Sequence, residues 1–230
     1  MSFIKSGDRL LHSAVREGLA CLLYKNLLQS EGLAYLSPKQ QHTLEALYYQ
    51  TVIFNLRLLD DLKEILTALK EKGTEITLLQ GITLLNEIYA DIGLRPMTDI
   101  DIWVLERDYG ELIKVLLNNK YHRDPLYPNV FKRGDTIFDL HTHILWADRI
   151  RTRSMLLKME QGRIYDCTVI REIEGLRARC LNPYDQILYL SLHALKHNAE
   201  KLIWALCCGC FYPIEMMMVL GLTLGNGISL

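Results

Sequence analysis

The fold is decided by one stretch, residues 94–105, which reads Leu94-Arg95-Pro96-Met97-Thr98-Asp99-Ile100-Asp101-Ile102-Trp103-Val104-Leu105. From residue 99 onward the side chains alternate with a period of two, the pattern of a β-strand. Ile100, Ile102 and Val104 share one face, which we expect to be buried in a core. Asp99 and Asp101 share the opposite face. The stretch therefore predicts a buried strand that carries two carboxylates at its beginning.

These two carboxylates are the sharpest chemical feature of the sequence. Residues i and i+2 of a strand lie about 6.6 Å apart along the chain, on the same side. Like charges that close repel each other unless a cation lies between them. Mg²⁺ suits such a site, because it usually binds one or two carboxylates together with substrate phosphates. The alternative is that the Asp-x-Asp motif is a structural turn and cap.

Short helices and strands alternate on both sides of this stretch. Between residues 74 and 145 we predict two further strands and two helices, at Glu75–Leu79, Ile82–Ile92, Glu106–Lys120 and Thr136–Leu145. Such alternation is typical of a small α/β unit. We therefore expect an α/β core over residues 74–180, between helical regions at 1–73 and 181–230.

The helical regions are predicted from helix-start signals and from periodicity. Residues 8–29 are rich in Leu and Ala up to a break at Gly32, and Ser37-Pro38-Lys39-Gln40 begins a helix ending near Gly73. A row of leucines at steps of three and four indicates a core-facing side of this helix: Leu56, Leu59, Leu62, Leu66 and Leu69. Asn182-Pro183-Tyr184-Asp185 begins a last helix.

The predicted strand at 136–145 brings a third carboxylate. Asp139 shares a face of this strand with His141 and His143. Beside Asp99 and Asp101 it would complete a two-metal arrangement and could orient or deprotonate an attacking hydroxyl. Alternatively, Asp139 forms a surface ion pair with Arg133 or Lys132.

The turn Gln80-Gly81-Ile82-Thr83, between a strand and a helix, is a candidate phosphate site. Its glycine would let backbone N–H groups approach a phosphate, and the N-terminus of a helix favours an anion. Arg95 either clamps a phosphate or pairs with Asp99. His193 and His197 lie four residues apart on the last helix, which is a sound spacing for metal ligands, although we expect them to line the cleft.

Composition excludes several classes of protein. The chain has 230 residues, 50% of them hydrophobic, and a formal net charge of −1, which excludes wholesale disorder and a globally basic nucleic-acid binder. Its six cysteines show no disulfide ladder, and the beginning of the chain has no secretory signal, so we expect a cytoplasmic protein.

The end of the sequence is unusual, because Glu215 is the one charged residue between Ala205 and Leu230. The stretch approaches the ~20 apolar residues that span a bilayer, but Pro213, Glu215 and several glycines argue against a membrane segment. We expect a truncated or frame-shifted end. The cluster Cys207, Cys208 and Cys210 is a weak metal signal.

These motifs together resemble a known family. Leu79-Gln80-Gly81, the stretch from Leu94 to Ile102, Asp139-Leu140-His141 and the helix with His193 and His197 resemble the bacterial uncharacterised nucleotidyltransferases of the DNA polymerase β superfamily. The resemblance implies an α+β fold with an α/β core: a small mixed sheet of the polymerase-β type, flanked by N- and C-terminal helices. It also implies transfer of a nucleoside monophosphate from an NTP, with Mg²⁺ or Mn²⁺, to an acceptor that the sequence does not name.

The resemblance also implies roles for individual residues. Asp99, Asp101 and Asp139 would hold the metal and carry catalysis, whereas the nucleotide phosphates would lie against a second set: Gln80, Gly81, Thr83 and Arg95. Gln80 stands where the family usually has lysine. A catalytically weak nucleotide-binding protein is therefore the second hypothesis. A third is a zinc hydrolase that uses four histidines: His141, His143, His193 and His197.

Overall fold

The computed structural model describes residues 2–89, 91–145, 161–173, 175–196 and 201–203. His197 and the apolar end of the chain lie outside these residues, so the predictions made for them stay predictions. No helix within the described ranges is long and apolar enough to cross a membrane.

A seven-stranded mixed sheet forms the centre of the described chain. Its strands are β1 (Thr77–Leu78), β2 (Ile100–Trp103), β3 (His122–Arg123), β4 (Val130–Arg133), β5 (Thr136–His141), β6 (Val169–Ile173) and β7 (Leu176–Cys180). They lie in the order β3-β4-β5-β2-β1-β7-β6. The β2–β5 and β1–β7 pairs are parallel, and the other four are antiparallel. The predicted mixed sheet with an α/β core is confirmed.

Seven helices accompany the sheet in the part of the chain that the structure describes. They are α1 (Ser2–Arg16), α2 (Ala20–Gln29), α3 (Pro38–Lys72), α4 (Gly81–Glu87), α5 (Glu106–Asn118), α6 (Gln161–Asp166) and α7 (Pro183–Lys196). The prediction of one helix from residue 8 to the break at Gly32 was wrong. Gly18 has φ +75°, a left-handed conformation that ends α1 and lets α2 begin in a new direction.

The long helix α3 begins and ends where its sequence signals predict. The Ser37 hydroxyl accepts a hydrogen bond from the Gln40 N–H, and the Gln40 side chain accepts one from the Ser37 N–H. Gly73 ends the helix at φ +66°. The predicted apolar face is confirmed except at Leu56, which is half exposed. With 3.6 residues per turn, Leu56 lies on the far side of the helix from Leu58, which is fully buried.

Both faces of the sheet are covered around the predicted central strand. Ile100 and Ile102 are fully buried in the main hydrophobic core, which they share with α3 and α5. Trp103, on the other face, packs in a second cluster that includes Tyr165 and Tyr189. Asp101 lies on the same face of the sheet as Trp103. Its carboxylate is therefore next to this second cluster, at the edge of the sheet face that the cluster does not cover.

Candidate active site

The pairing of β2 with β5 brings together two of the predicted carboxylates. In this parallel pair Asp101 is in register with Asp139, so the two carboxylates lie on adjacent strands at the same level. Asp99 comes just before β2. All three line one cleft of about 400 Å³, as the sequence predicted for an acidic site.

A histidine joins the carboxylates. His141 Nε2 lies 2.9 Å from Asp101 Oδ1 and 3.8 Å from Asp139 Oδ2, and the ring is 1% exposed. One ligand atom from each of these three residues lies within 4.8 Å of the others, a spacing that could hold a metal ion. The tightest group is therefore two carboxylates and an imidazole, with Asp99 beside it.

Asp99 lies in an environment that disfavours its charged form. Burial raises the pKa of its carboxyl to about 6, and the negative charge of Asp101 adds to this shift. The hydroxyl of Thr98, which donates to Asp99 Oδ1 at 3.0 Å, acts in the opposite direction. A divalent cation in the cleft would relieve the repulsion between the carboxylates.

Arg95 supplies a buried positive charge to the same cleft. It is 8% exposed, and within the described ranges its guanidinium forms no ion pair, so the alternative of a pair with Asp99 is not realised. Its Nε is buried without a hydrogen-bond partner among the described residues. Asn55 donates to the backbone carbonyls of Arg95 and Ile92, at 2.8 and 2.7 Å, and so fixes the segment before β2.

The turn before α4 forms another wall of the cleft. Gln80 has φ +51° and ψ −123°, a strained conformation for a residue with a side chain, and its amide donates to the Tyr189 hydroxyl at 3.4 Å. Gly81 lines the cleft, and a Cβ built on it would lie 3.1 Å from Met97 Sδ and 3.4 Å from Arg95 Nη1. This glycine therefore lets the Met97 and Arg95 side chains approach the turn.

Thr83, predicted to lie against phosphate, does not line the cleft. It is 1% exposed, and its hydroxyl donates to the Gln80 carbonyl at 2.8 Å and accepts from Gln186 at 2.6 Å. Thr83 is the third residue of α4, and its hydroxyl contacts Gln80 and Gln186 rather than the cleft. Its contacts support the strained turn from below.

The histidines divide into two groups. His141 and His193 line the cleft. The prediction that His143 shares the face of Asp139 was wrong, because β5 ends at His141. The chain turns there: Gln161 bonds the backbone of Thr142 and Ile144, and His143 Nδ1 accepts the Leu145 N–H. Among the described residues, the four-histidine zinc set is therefore not assembled.

The surface ion pairs considered for Asp139 are not formed either. Lys132 bonds Asp124 at 2.6 Å, and Arg133 bonds Asp61 and Glu64 at 2.7 and 2.6 Å. Both cations thus pair with other acids, and Asp139 lines the cleft.

Four cleft residues were missed from the sequence. They are Gly18, Lys196, Lys201 and Ile203, of which Gly18 lies far from the other three in the chain. The Leu202 N–H donates to the Glu17 carboxylate at 3.1 Å, and the Ile203 N–H donates to the Glu17 carbonyl at 3.3 Å. No local pattern encodes these contacts. The nearness of His141 to Asp101, in contrast, is signalled by its place two residues after Asp139.

Two solved structures are similar to this chain, and the likeness to the first agrees with this architecture. A solution structure of the antibiotic-resistance factor ANT(2'')-Ia is similar with a TM-score of 0.50 and 17% identity, over 72% of this chain and 90% of that one. A crystal structure of ANT(2'')-Ia in complex with adenylyl-2''-tobramycin has a TM-score of 0.45 and 20% identity, over 70% and 93%. No curated protein matches the chain significantly.

The sequence itself gives the stronger result. Residues 6–207 match the model of the family described as "Uncharacterised nucleotidyltransferase". This range includes the whole sheet and every residue of the cleft described above. The chain therefore belongs to the uncharacterised nucleotidyltransferase family, a family of transferase enzymes.

Proposed function

We propose that the protein transfers a nucleoside monophosphate from an Mg²⁺-bound NTP to an acceptor hydroxyl. The observation that carries the proposal is the convergence of Asp99, Asp101 and Asp139 on one cleft that also contains the buried cation Arg95. Carboxylates in close groups are ligands for Mg²⁺, and a buried guanidinium favours phosphate.

Asp101 and Asp139 would hold the metal, with Asp99 beside them and His141 bonded to Asp101. Bound there, Mg²⁺ (or Mn²⁺) would neutralise charge on the phosphate oxygens and align them for displacement. The donor set fits this role, because carboxylate oxygens dominate it and because burial and the negative charge of Asp101 raise the pKa of Asp99, a repulsion that a bound cation would relieve. The imidazole would also suit Mn²⁺.

The reaction that these residues would support is an in-line displacement. The acceptor oxygen forms a bond to the α-phosphorus, the bond from that phosphorus to the β-phosphate oxygen breaks, and pyrophosphate leaves. The proton of the acceptor hydroxyl passes to the Asp139 carboxylate. Arg95 and the backbone at Gly81 would orient the phosphates, and the walls of the cleft would limit the access of water.

The test is a thermal-unfolding screen of the four NTPs, each with and without Mg²⁺. A ligand that binds only the native state raises the melting temperature by mass action. We expect a Mg²⁺-dependent rise in the parent that is lost in Asp101→Asn. Asp60→Asn, on the exposed side of α3, is the matched control and should keep it. The absence of a rise with every NTP would contradict the proposal.

A second candidate rests on Gln80, whose side chain bonds Tyr189 and brings no charge to the turn. This position favours a nucleotide-binding protein without efficient turnover. Gln80→Lys separates the two: turnover that appears only in the variant, with nucleotide binding in both, supports the second candidate. Residence in the cytoplasm stays a prediction from the sequence.

A further inference from the structure

A second, smaller groove adjoins the cleft. It has a volume of about 290 Å³ and lies between the segment before β2 and one side of α3, which contributes Leu47, Gln50, Phe54 and Asn55. Pro96 and Met97 line both the groove and the cleft, so the two are neighbours across this short segment. Since Pro96 is exposed, a ligand in the cleft can extend over it into the groove.

The groove differs from the cleft in its chemistry. Acids, cations and imidazoles dominate the cleft, and the described residues that line it include no phenyl, phenol or indole ring. The described residues that line the groove carry no charge. They offer the ring of Phe54, the apolar side chains of Leu47 and Met97, and the amides of Gln50 and Asn55. Such a lining suits a flat, uncharged group with polar edges, and it disfavours a phosphate or a polycation.

Asn55 supplies a buried hydrogen-bond acceptor to the groove. Its amide nitrogen donates to the backbone carbonyls of Ile92 and Arg95, and this fixes the orientation of the amide because carbonyls only accept. The side-chain oxygen is buried and has no hydrogen-bond partner among the described residues. A buried acceptor without a donor is unfavourable, so an N–H group of a ligand would stabilise this position.

Gln50 and Phe54 lie one turn of α3 apart and form the other part of the groove. The ring of Phe54 is a surface on which a planar base can stack. The exposed amide of Gln50 presents a donor beside an acceptor, the arrangement that pairs with N6 and N7 of adenine. Guanine has two acceptors on the same edge, which arginine or lysine reads, and neither is among the described residues of the lining.

We propose that this groove is the subsite for the nucleobase and that it selects adenine. The inference rests on the proposed function, because the metal and the phosphates of the same nucleotide would occupy the cleft. The amino group of adenine has two hydrogens, one for Gln50 and one for Asn55. Asn55 would then serve both halves of the nucleotide, since its nitrogen holds the backbone of Arg95 in the cleft.

The test is calorimetric titration of the full-length chain, in Mg²⁺, with the four NTPs and with tripolyphosphate, which has no base. We expect ATP to bind about ten-fold more tightly than GTP, and Gln50→Leu to remove most of this preference without changing the affinity for tripolyphosphate. Phe54→Leu removes the stacking ring and should weaken the binding of every NTP about ten-fold. Gln29→Leu, the same exchange at the exposed end of α2, is the matched control. Melting temperatures verify that each variant folds.

The outcomes separate this inference from the proposed function. Mg²⁺-dependent NTP binding that is unchanged in both groove variants, or that falls together with tripolyphosphate binding, overturns the inference and leaves the proposed function standing. Adenosine that binds the parent and Asp101→Asn alike without Mg²⁺, but binds Gln50→Leu more weakly, supports the inference; if no NTP then binds in a Mg²⁺-dependent way, the proposed function is contradicted. Failure of the parent to bind adenosine and every NTP overturns both.

Discussion

Replacement of Asp99 by asparagine should make the metal-free protein more stable at neutral pH. The carboxyl of Asp99 is largely buried beside Asp101 and Asp139, and its hydrogen bond from Thr98 is one that an asparagine carbonyl also accepts. The substitution therefore removes an unfavourable charge and keeps the local contact. A residue that served only as a turn cap would show the opposite effect.

The size of the effect follows from the shift in pKa. Asp99 has a pKa of about 6 in the folded chain, against an ordinary value of 3.8. Two pKa units correspond to about 3 kcal/mol at a pH above both values. Because the folded state holds the proton more tightly, the parent should lose this stability as the pH rises from about 4 to about 7. Asp99→Asn should not lose it.

Urea unfolding in a chelator, at about pH 4 and about pH 7.5, measures the difference. We expect the two proteins to be similar at the lower pH and the variant to be more stable by about 1–3 kcal/mol at the higher one. Added Mg²⁺ should then stabilise the parent more than the variant, since the ion relieves the same repulsion. A variant that is less stable than the parent at the higher pH in chelator would refute the reasoning.

Three further predictions concern the cap of α3 and the support of the cleft. Ser37→Ala removes the capping box of α3 and should cost about 1 kcal/mol in urea unfolding, and an unchanged midpoint would contradict that role. Asn55→Ala leaves two buried backbone carbonyls without their donor, so we expect the free energy of unfolding to fall by about 2–4 kcal/mol. We also expect weaker binding of Mg²⁺–NTP in calorimetry. An affinity equal to that of the parent would mean that the segment before β2 needs no such support. Gly18→Ala introduces a Cβ at φ +75° against Ile203 and should lower the affinity for pyrophosphate. Gly73→Ala is the control, because at φ +66° its Cβ meets nothing within 4 Å and should cost only about 1 kcal/mol of backbone strain. Similar losses of affinity in both variants would argue against the role of the Ile203 contact.

The features that the sequence predicted correctly are those set by residues close together in the chain. The capping box spans four positions, and the end of α3 depends on one glycine. The cap of α7 is equally local, because Asn182 Oδ1 accepts the N–H groups of Tyr184 and Asp185 at 3.0 and 3.1 Å. In each case the side chain that ends or begins the element bonds its own neighbours, so the pattern and its physical cause coincide.

What the sequence could not predict depends on distant contacts. β5 ends at His141 because Gln161, which lies beyond it in the chain, bonds the backbone at Thr142 and Ile144. Lys201 reaches the cleft through Glu17, from the other end of the chain. The β6–β7 hairpin is a different case. Gly175 at φ +76° and the alternation around it are local signals, and the prediction of three strands for the core overlooked them.

Several residues around the cleft have unfavourable conformations or environments. Neighbouring residues that do not line the cleft hold them in place. Gln80 is held at a strained positive φ, and Thr83 and Gln186 form a chain of hydrogen bonds to its carbonyl. Arg95 is a buried cation without an ion pair among the described residues, and Asn55 fixes its backbone. Conflicts of this kind lower stability, so they persist where the surroundings enforce them and where a ligand relieves them. An anionic nucleotide carrying its metal ion would relieve both the repulsion among the carboxylates and the absence, within the described ranges, of an ion pair for Arg95. Relief of both conflicts by one ligand is the physical reason to expect cooperative binding: metal and nucleotide together should stabilise the protein more than the sum of the two added separately.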